Sequence, residues 1–250
     1  MNRVPIDRDE FHMTKTRNYK HMKTIGLIGG TGWVSTIEYY RLINQGINKK
    51  LGGLNSAQCL IYSFNYAEID KLVKQDNIAG VYPMVLDAAK TLHSASADFI
   101  VLCANTLHQY VDKLDKQVGL PIVHIADATA KVIKEKGLTK VGLLGTRFTM
   151  EMDFYTTRLK GAGIESLTPE KPQRDFIHNA IINEMLHDNF KKETKERFLS
   201  IINELEAKGA EGIVLGCTEI PFLIKQEDVK LPLFNTLKIH ADAVVDYAVS

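Results

Sequence analysis

Two short segments of this 250-residue chain place a thiol beside small polar groups: Cys103-Ala104-Asn105-Thr106 and Gly216-Cys217-Thr218-Glu219. Where a strand gives way to a helix, a thiol meets unpaired N–H groups that favour thiolate. A thiolate can carry a proton or attack as a nucleophile. The neighbouring Asn105, Thr106 and Thr218 are donors suited to a small carboxylate. A lone buried cysteine is ordinarily a small hydrophobe. Cys59, inside the apolar run AQCLIYSF (57–64) with no polar followers, reads as core in that way. Two cysteines at equivalent points of one chain, each trailed by threonine, read as chemistry. The three cysteines lack CxxC or His/Cys ligand spacing, so neither a disulfide framework nor a zinc site is expected. Retained thiols fit a reducing, cytoplasmic location.

A second constellation lies in two glycine-bearing loops. Gly29-Gly30-Thr31-Gly32 lets backbone approach an anion, and Ser35 and Thr36 read as caps for the helix behind it. Its counterpart is Gly145-Thr146-Arg147-Phe148-Thr149. The dinucleotide spacing GxGxxG is not met, the Walker lysine is absent, and no acidic residue clearly ends the second strand. A small carboxylate therefore ranks above a nucleotide. His108, His124 and His240 fall near strand or helix starts and His178 and His187 on a helix; none is assigned chemistry. Lys171 and Arg174 open a helix after Pro169 and are candidate anion contacts.

These residues need a frame. Apolar runs TIGLIG (24–29), AQCLIYSF (57–64), DFIVLC (98–103) and PIVHI (121–125) read as buried parallel strands. Between them Val81, Val85, Ala88 and Leu92 share a helix face, as do Phe198, Ile201, Ile202 and Leu205. The pattern also repeats. TIGLIGGT (24–31) is answered by KVGLLGTR (140–147), ADFIVLCANT (97–106) by AEGIVLGCTE (210–219), and LPIVH (120–124) by LPLFN (231–235). Order is kept, so the chain reads as a duplicated α/β unit. The expected fold is two pseudo-symmetric doubly wound domains with parallel sheets: 22–120 plus 232–250, and 121–231. Ligands bind beyond the carboxyl ends of such strands, which puts the site in the cleft between domains with one cysteine on each wall. Aligning Ile-Val-Leu sets Cys103 opposite Gly216, with Cys217 one residue later.

Composition narrows the partner. Net charge is +1 and 45% of residues are hydrophobic, with no nucleic-acid or membrane footprint and no transmembrane-length apolar stretch. Residues 1–21 are polar and lack a signal-peptide core; they read as a disordered arm or an expression leader, with Met22 a natural start.

At GGTGWVST, CANTLH, LLGTRFTM and LGCTEIP the chain resembles aspartate/glutamate racemases, nearest the broad-specificity amino-acid racemase branch, from about Met22 to the C-terminus. The resemblance implies catalysis without pyridoxal phosphate, with Cys103 and Cys217 as the two bases on opposite faces of a substrate Cα. It also implies that Asn105, Thr106 and Thr218 bind the α-carboxylate and ammonium, with Thr146 and Thr149 contributing; Gly30, Thr31 and Glu219 complete the expected contacts. Two departures bear on substrate. Glu219 stands where glutamate racemases carry histidine, and SFNYAEI (63–69) lacks the arginine by which aspartate racemases tend to hold a distal carboxylate. The expectation leans to aspartate, glutamate or a broader polar set, with Lys171 as side-chain contact. The rivals are another cysteine enzyme on the scaffold (a maleate cis–trans isomerase, hydantoin racemase or decarboxylase) and a non-catalytic small-ligand-binding protein. Homodimeric assembly is left open. With two thiols for two proton transfers, no cofactor or metal is required. Purified protein is expected to lack a pyridoxal absorption band and to keep its activity in chelator. Loss of activity on carbonyl trapping, restored by pyridoxal phosphate, would overturn this.

Overall fold

A computed structural model describes residues 22–75 and 77–250; the 1–21 arm lies outside the described residues. The first half runs β1 (Ile25–Gly29), α1 (Trp33–Leu51), β2 (Cys59–Ser63), α2 (Tyr66–Lys74), α3 (Val81–Ser94), β3 (Phe99–Leu102), a 3-10 turn at Asn105–Tyr110 and α4 (Val111–Val118). Then come α5 (Ile125–Glu135), β4 (Lys140–Gly145), α6 (Arg147–Glu151), α7 (Asp153–Gly161), β5 (Glu165–Leu167), α8 (Lys171–Asn183) and α9 (Lys192–Ala207). The chain ends with β6 (Ile213–Gly216), α10 (Ile220–Leu223), β7 (Leu233–Asn235) and α11 (Thr236–Ala248).

The sequence echo reappears as sheet topology. The strand orders are β2-β1-β3 and β5-β4-β6-β7, all parallel. A single parallel bridge, Ile100 to Ile122, stands where the second sheet pairs Ile213 with Leu233. Each half thus repeats one order, and β1 and most of β4 are fully buried at the centre. Two segments differ from the sequence reading. β2 is an edge strand, with Ile61 44% exposed and Cys59 half-buried, because nothing pairs beyond it among the described residues. PIVHI shrinks to that one bridge, because His124 caps α5 by accepting from the Ala126 N–H.

The closing helices cross over. α11 lays Leu237, Ala241 and Val244 against Ile25, Leu27 and Ile43 of the first half. α5, which follows the first half's last bridge, lays Ile125, Ala130 and Ile133 against Val141, Leu143 and Leu159 of the second. The division at 120/121 and 231/232 stays a proposal; β7, past the second cut, hydrogen-bonds to β6. No helix among the described residues is long and apolar enough to cross a membrane.

α1 packs against α11 at Gly46, where a Cβ would lie 2.7 Å from Val245 Cγ2. Alanine at a helix interior gains up to about 1 kcal/mol over glycine, but overpacking costs about 1–3 kcal/mol. The β-branched Val245 has little rotamer freedom to yield. Gly46→Ala is therefore expected to destabilise by about 1 kcal/mol, read as a lower denaturant midpoint. A raised midpoint would show that propensity outweighs packing here.

Candidate active site

The loops after β1, β3, β4 and β6 converge at the carboxyl ends of the strands, as the topology requires. They border a cavity of about 360 Å³ lined by both cysteines. Cys103 is still tied to the sheet, its N–H donating to Ile28 O at 2.8 Å. The second half cannot repeat that placement. A Cβ at Gly216 would lie 2.9 Å from Leu144 O and 3.0 Å from Thr149 Cγ2. Glycine therefore holds the position equivalent to Cys103, and the thiol moves one residue on. Thr149, fully buried, fills this space instead of lining the cavity.

Glu219 organises the wall around Cys217. Its carboxylate is only 7% exposed, and its Oε2 accepts from the Cys217 thiol and from Thr218 Oγ1, both at 2.9 Å. Ser35 Oγ reaches across from α1, 2.7 Å from Thr218 Oγ1 and 2.9 Å from Glu219 Oε1. The close approach needs Gly32, where a Cβ would sit 2.9 Å from Glu219 Oε1. α1 has no acidic residue in its first turn, so the buried carboxylate supplies the negative charge its N-terminus favours. Ser35 and Thr36 are not caps: Gly32 is the N-cap, without a side-chain bond, and Thr36 Oγ1 accepts from the Gly30 N–H at 2.9 Å.

The thiolate expectation is overturned for the protein as it stands. Burial pushes the Cys103 thiol well up. Burial and the adjacent Glu219 carboxylate push Cys217 up as well. N–H groups of Thr218 and Glu219 oppose this at Cys217, but desolvation is the larger effect. Both thiols hold their protons near neutral pH.

The other expected residues divide. Thr31, Asn105, Thr106, Thr146, Thr218 and Glu219 line the cavity with the thiols. Thr106, Thr146 and Thr149 hydroxyls form a chain across the halves at 3.4 and 3.3 Å. Asn105 Nδ2 donates to Thr236 Oγ1 at 3.1 Å, whereas Asn105 Oδ1 and Thr31 Oγ1 are buried with no partner among the described residues. Gly30, at φ 85, makes the turn behind Thr31 and sits against the Phe64 backbone, outside the cavity lining. Lys171 does not join the site. It is 74% exposed, bonded to Asp175 at 2.7 Å, and about 10 Å along α8 from the cavity-lining His178.

His108, His124 and His240 gather behind the site, with ring centroids 4.8 and 5.2 Å apart. Burial holds His124 at about 3 and His240 at about 4, and depresses His108 too, so all three are neutral. Tyr39 OH lies 2.8 Å from His240 Nδ1, and His240 Nε2 donates to Val123 O at 2.8 Å. Sequence reasoning missed the wall formed by α2. Tyr66, Ile69, Asp70, Val73 and Lys74 line the cavity, and their helical spacing was the available signal.

With this geometry in hand, comparison with known proteins gives one picture. Residues 28–244 match the Asp/Glu/Hydantoin racemase family. A Yersinia pestis structure described as a candidate Asp/Glu racemase is 43% identical, covers 92% of this chain and all of its own, and superposes with a TM-score of 0.85. An aspartate racemase homologue from Pyrococcus horikoshii is 35% identical over 92% of this chain and 100% of its own, with a TM-score of 0.77. A broad specificity amino-acid racemase of Bacillus subtilis is 25% identical over 227 residues, 88% of this chain and 96% of that protein.

The contact between Glu219 and Cys217 has a measurable sign. A carboxylate disfavours the neighbouring thiolate, so Glu219→Gln is expected to lower the Cys217 pKa. The midpoint for iodoacetamide labelling of Cys217, followed by peptide mapping, should move to lower pH. Movement to higher pH would show that Glu219 promotes the thiolate instead.

Proposed function

The chain belongs to the Asp/Glu/hydantoin racemase family, an isomerase, and on that premise we propose that it inverts free α-amino acids at Cα by a cofactor-independent, two-thiol proton transfer. One observation carries the reading: thiols from corresponding ends of two repeated halves line a single cavity, beside the unpartnered Asn105 Oδ1 and Thr31 Oγ1. Inversion needs a base on one face of Cα and an acid on the other. One cysteine removes the proton as thiolate, the other donates its own as thiol, and the roles exchange with direction.

Asn105 Oδ1 is an acceptor for the ammonium, while Thr31, Thr106 and Thr146 offer hydroxyls to the α-carboxylate and Thr218, its proton donated to Glu219, fixes the wall beside Cys217. Gly30 shapes the Thr31 turn and Thr149 holds Thr146. The raised thiol pKa values give the ammonium a further task. A positive charge entering the cavity favours thiolate, so substrate binding promotes loss of one thiol proton to solvent, which leaves the base in place. The Cα proton is weakly acidic, and fixed donors on the carboxylate stabilise the developing carbanion.

Cys103→Ala and Cys217→Ala are each expected to lower racemisation by about 100- to 10,000-fold, the range for removing a positioned acid or base. Each should still exchange the Cα proton of one enantiomer with solvent deuterium, because one thiol still faces it. Cys59→Ala should leave turnover near normal. Near-normal racemisation by either of the first two variants would overturn the assignment.

A further inference from the structure

Much of the cavity lining is built from side chains the racemase chemistry does not use. Val73 on α2, Ile78, Leu107, and Ile181, Ile182 and Leu186 from α8 and the turn after it form apolar walls. Among the described residues of this lining the only lysine or arginine is Lys74. It is 75% exposed and bonded at 2.6 Å to Asp70, which also lines the cavity. The pair therefore neutralises itself at the mouth.

Lys171 and Arg174, in the first turn of α8, are committed elsewhere. Lys171 bonds to Asp175, and Arg174 donates to Glu151 Oε1 and Pro169 O. Arg147 is exposed, with its guanidinium carbon 6.0 Å from the Phe148 ring centre. His178 reaches the lining, but burial and nearby Arg147 hold its pKa below the ordinary value, so it is neutral. The remaining fixed charge of the lining is the Glu219 carboxylate.

A second substrate carboxylate would thus leave water for apolar walls and a like charge, with no buried cation among the described residues to receive it. Such a transfer is strongly disfavoured. Resting on the racemase reading above, we infer that this site takes amino acids with uncharged, predominantly apolar side chains and discriminates against aspartate and glutamate, with the facing sides of α2 and α8 setting the choice.

The test is a kcat/KM comparison by chiral chromatography on the purified full chain, using leucine, methionine, aspartate and glutamate. The expected preference for leucine or methionine over the acidic pair is at least about 100-fold. Val73→Arg should raise kcat/KM for glutamate by about 10-fold or more while lowering that for leucine, since a guanidinium supplies the missing partner. Ile182→Arg, on the opposite wall, tests the same point should the first variant fold poorly. Wild-type activity on aspartate or glutamate equal to or above that on leucine would overturn the inference and leave the racemase reading intact. Unchanged discrimination in both arginine variants would overturn α2 and α8 as the selecting surfaces. Absence of turnover with any amino acid would overturn the racemase reading itself.

Discussion

Each sheet is closed by a helix that the repeat assigns to the other half, and the site depends on that exchange. A sheet with one apolar face bare is not a stable layer. α11 provides Leu237, Val244 and Val245 to the first half, and α5 provides Ile125 and Ile133 to the second. At about 2 kcal/mol per large aliphatic side chain buried, the three on α11 contribute about 6 kcal/mol, on the scale of a whole domain's stability. Neither half is therefore complete alone. The strand ends carrying Cys103 and Cys217 are held face to face by the same packing that makes the protein fold.

The polar links at the centre follow from this. With the halves locked, Ser35 on α1 can meet Thr218 and Glu219 beyond β6, and Asn105 can meet Thr236 at the start of α11. The chain's own symmetry also shows in the caps: His124 and Asn235, the last residues of matching segments, each cap the helix that crosses. Histidine at the first position adds an aromatic body, which packs against His108. The three imidazoles fill the junction as neutral, partly paired rings rather than as acids or bases.

Much of this was legible in the sequence because repetition is a local signal. Three echoed segments mark β1 and β4, β3 and β6, and the Ile122 bridge and β7 as matching strands, with the thiol-bearing loops after the second pair. What was not legible depends on distance between elements. Ser35 reads as a cap until Gly32 takes that position and brings α1 against Glu219. Lys171 lies on the same helical stripe as His178 and Ile182, so periodicity alone favours it; only its place at the solvent end of α8 removes it from the cavity. The thiolate expectation failed for a similar reason. Helix N–H groups near a cysteine can be read from sequence, whereas complete burial and a carboxylate folded back onto the sulfur cannot.

The duplication yields two matching positions but not two matching thiols. Gly216 displaces Cys217 by one residue, and Glu219 then bonds to its sulfur. Cys103 has no such neighbour: burial dominates its pKa, with a smaller contribution from Cys59. In a two-thiol racemase these groups would differ in proton affinity, and the two directions would differ in how readily the base forms. Yet enantiomers have equal free energy in water, so the equilibrium constant is unity whatever the enzyme does. The ratio kcat/KM must then be the same for both directions. The asymmetry around Glu219 can appear only as kcat and KM rising or falling together for one enantiomer relative to the other, through ground-state binding and the resting protonation state.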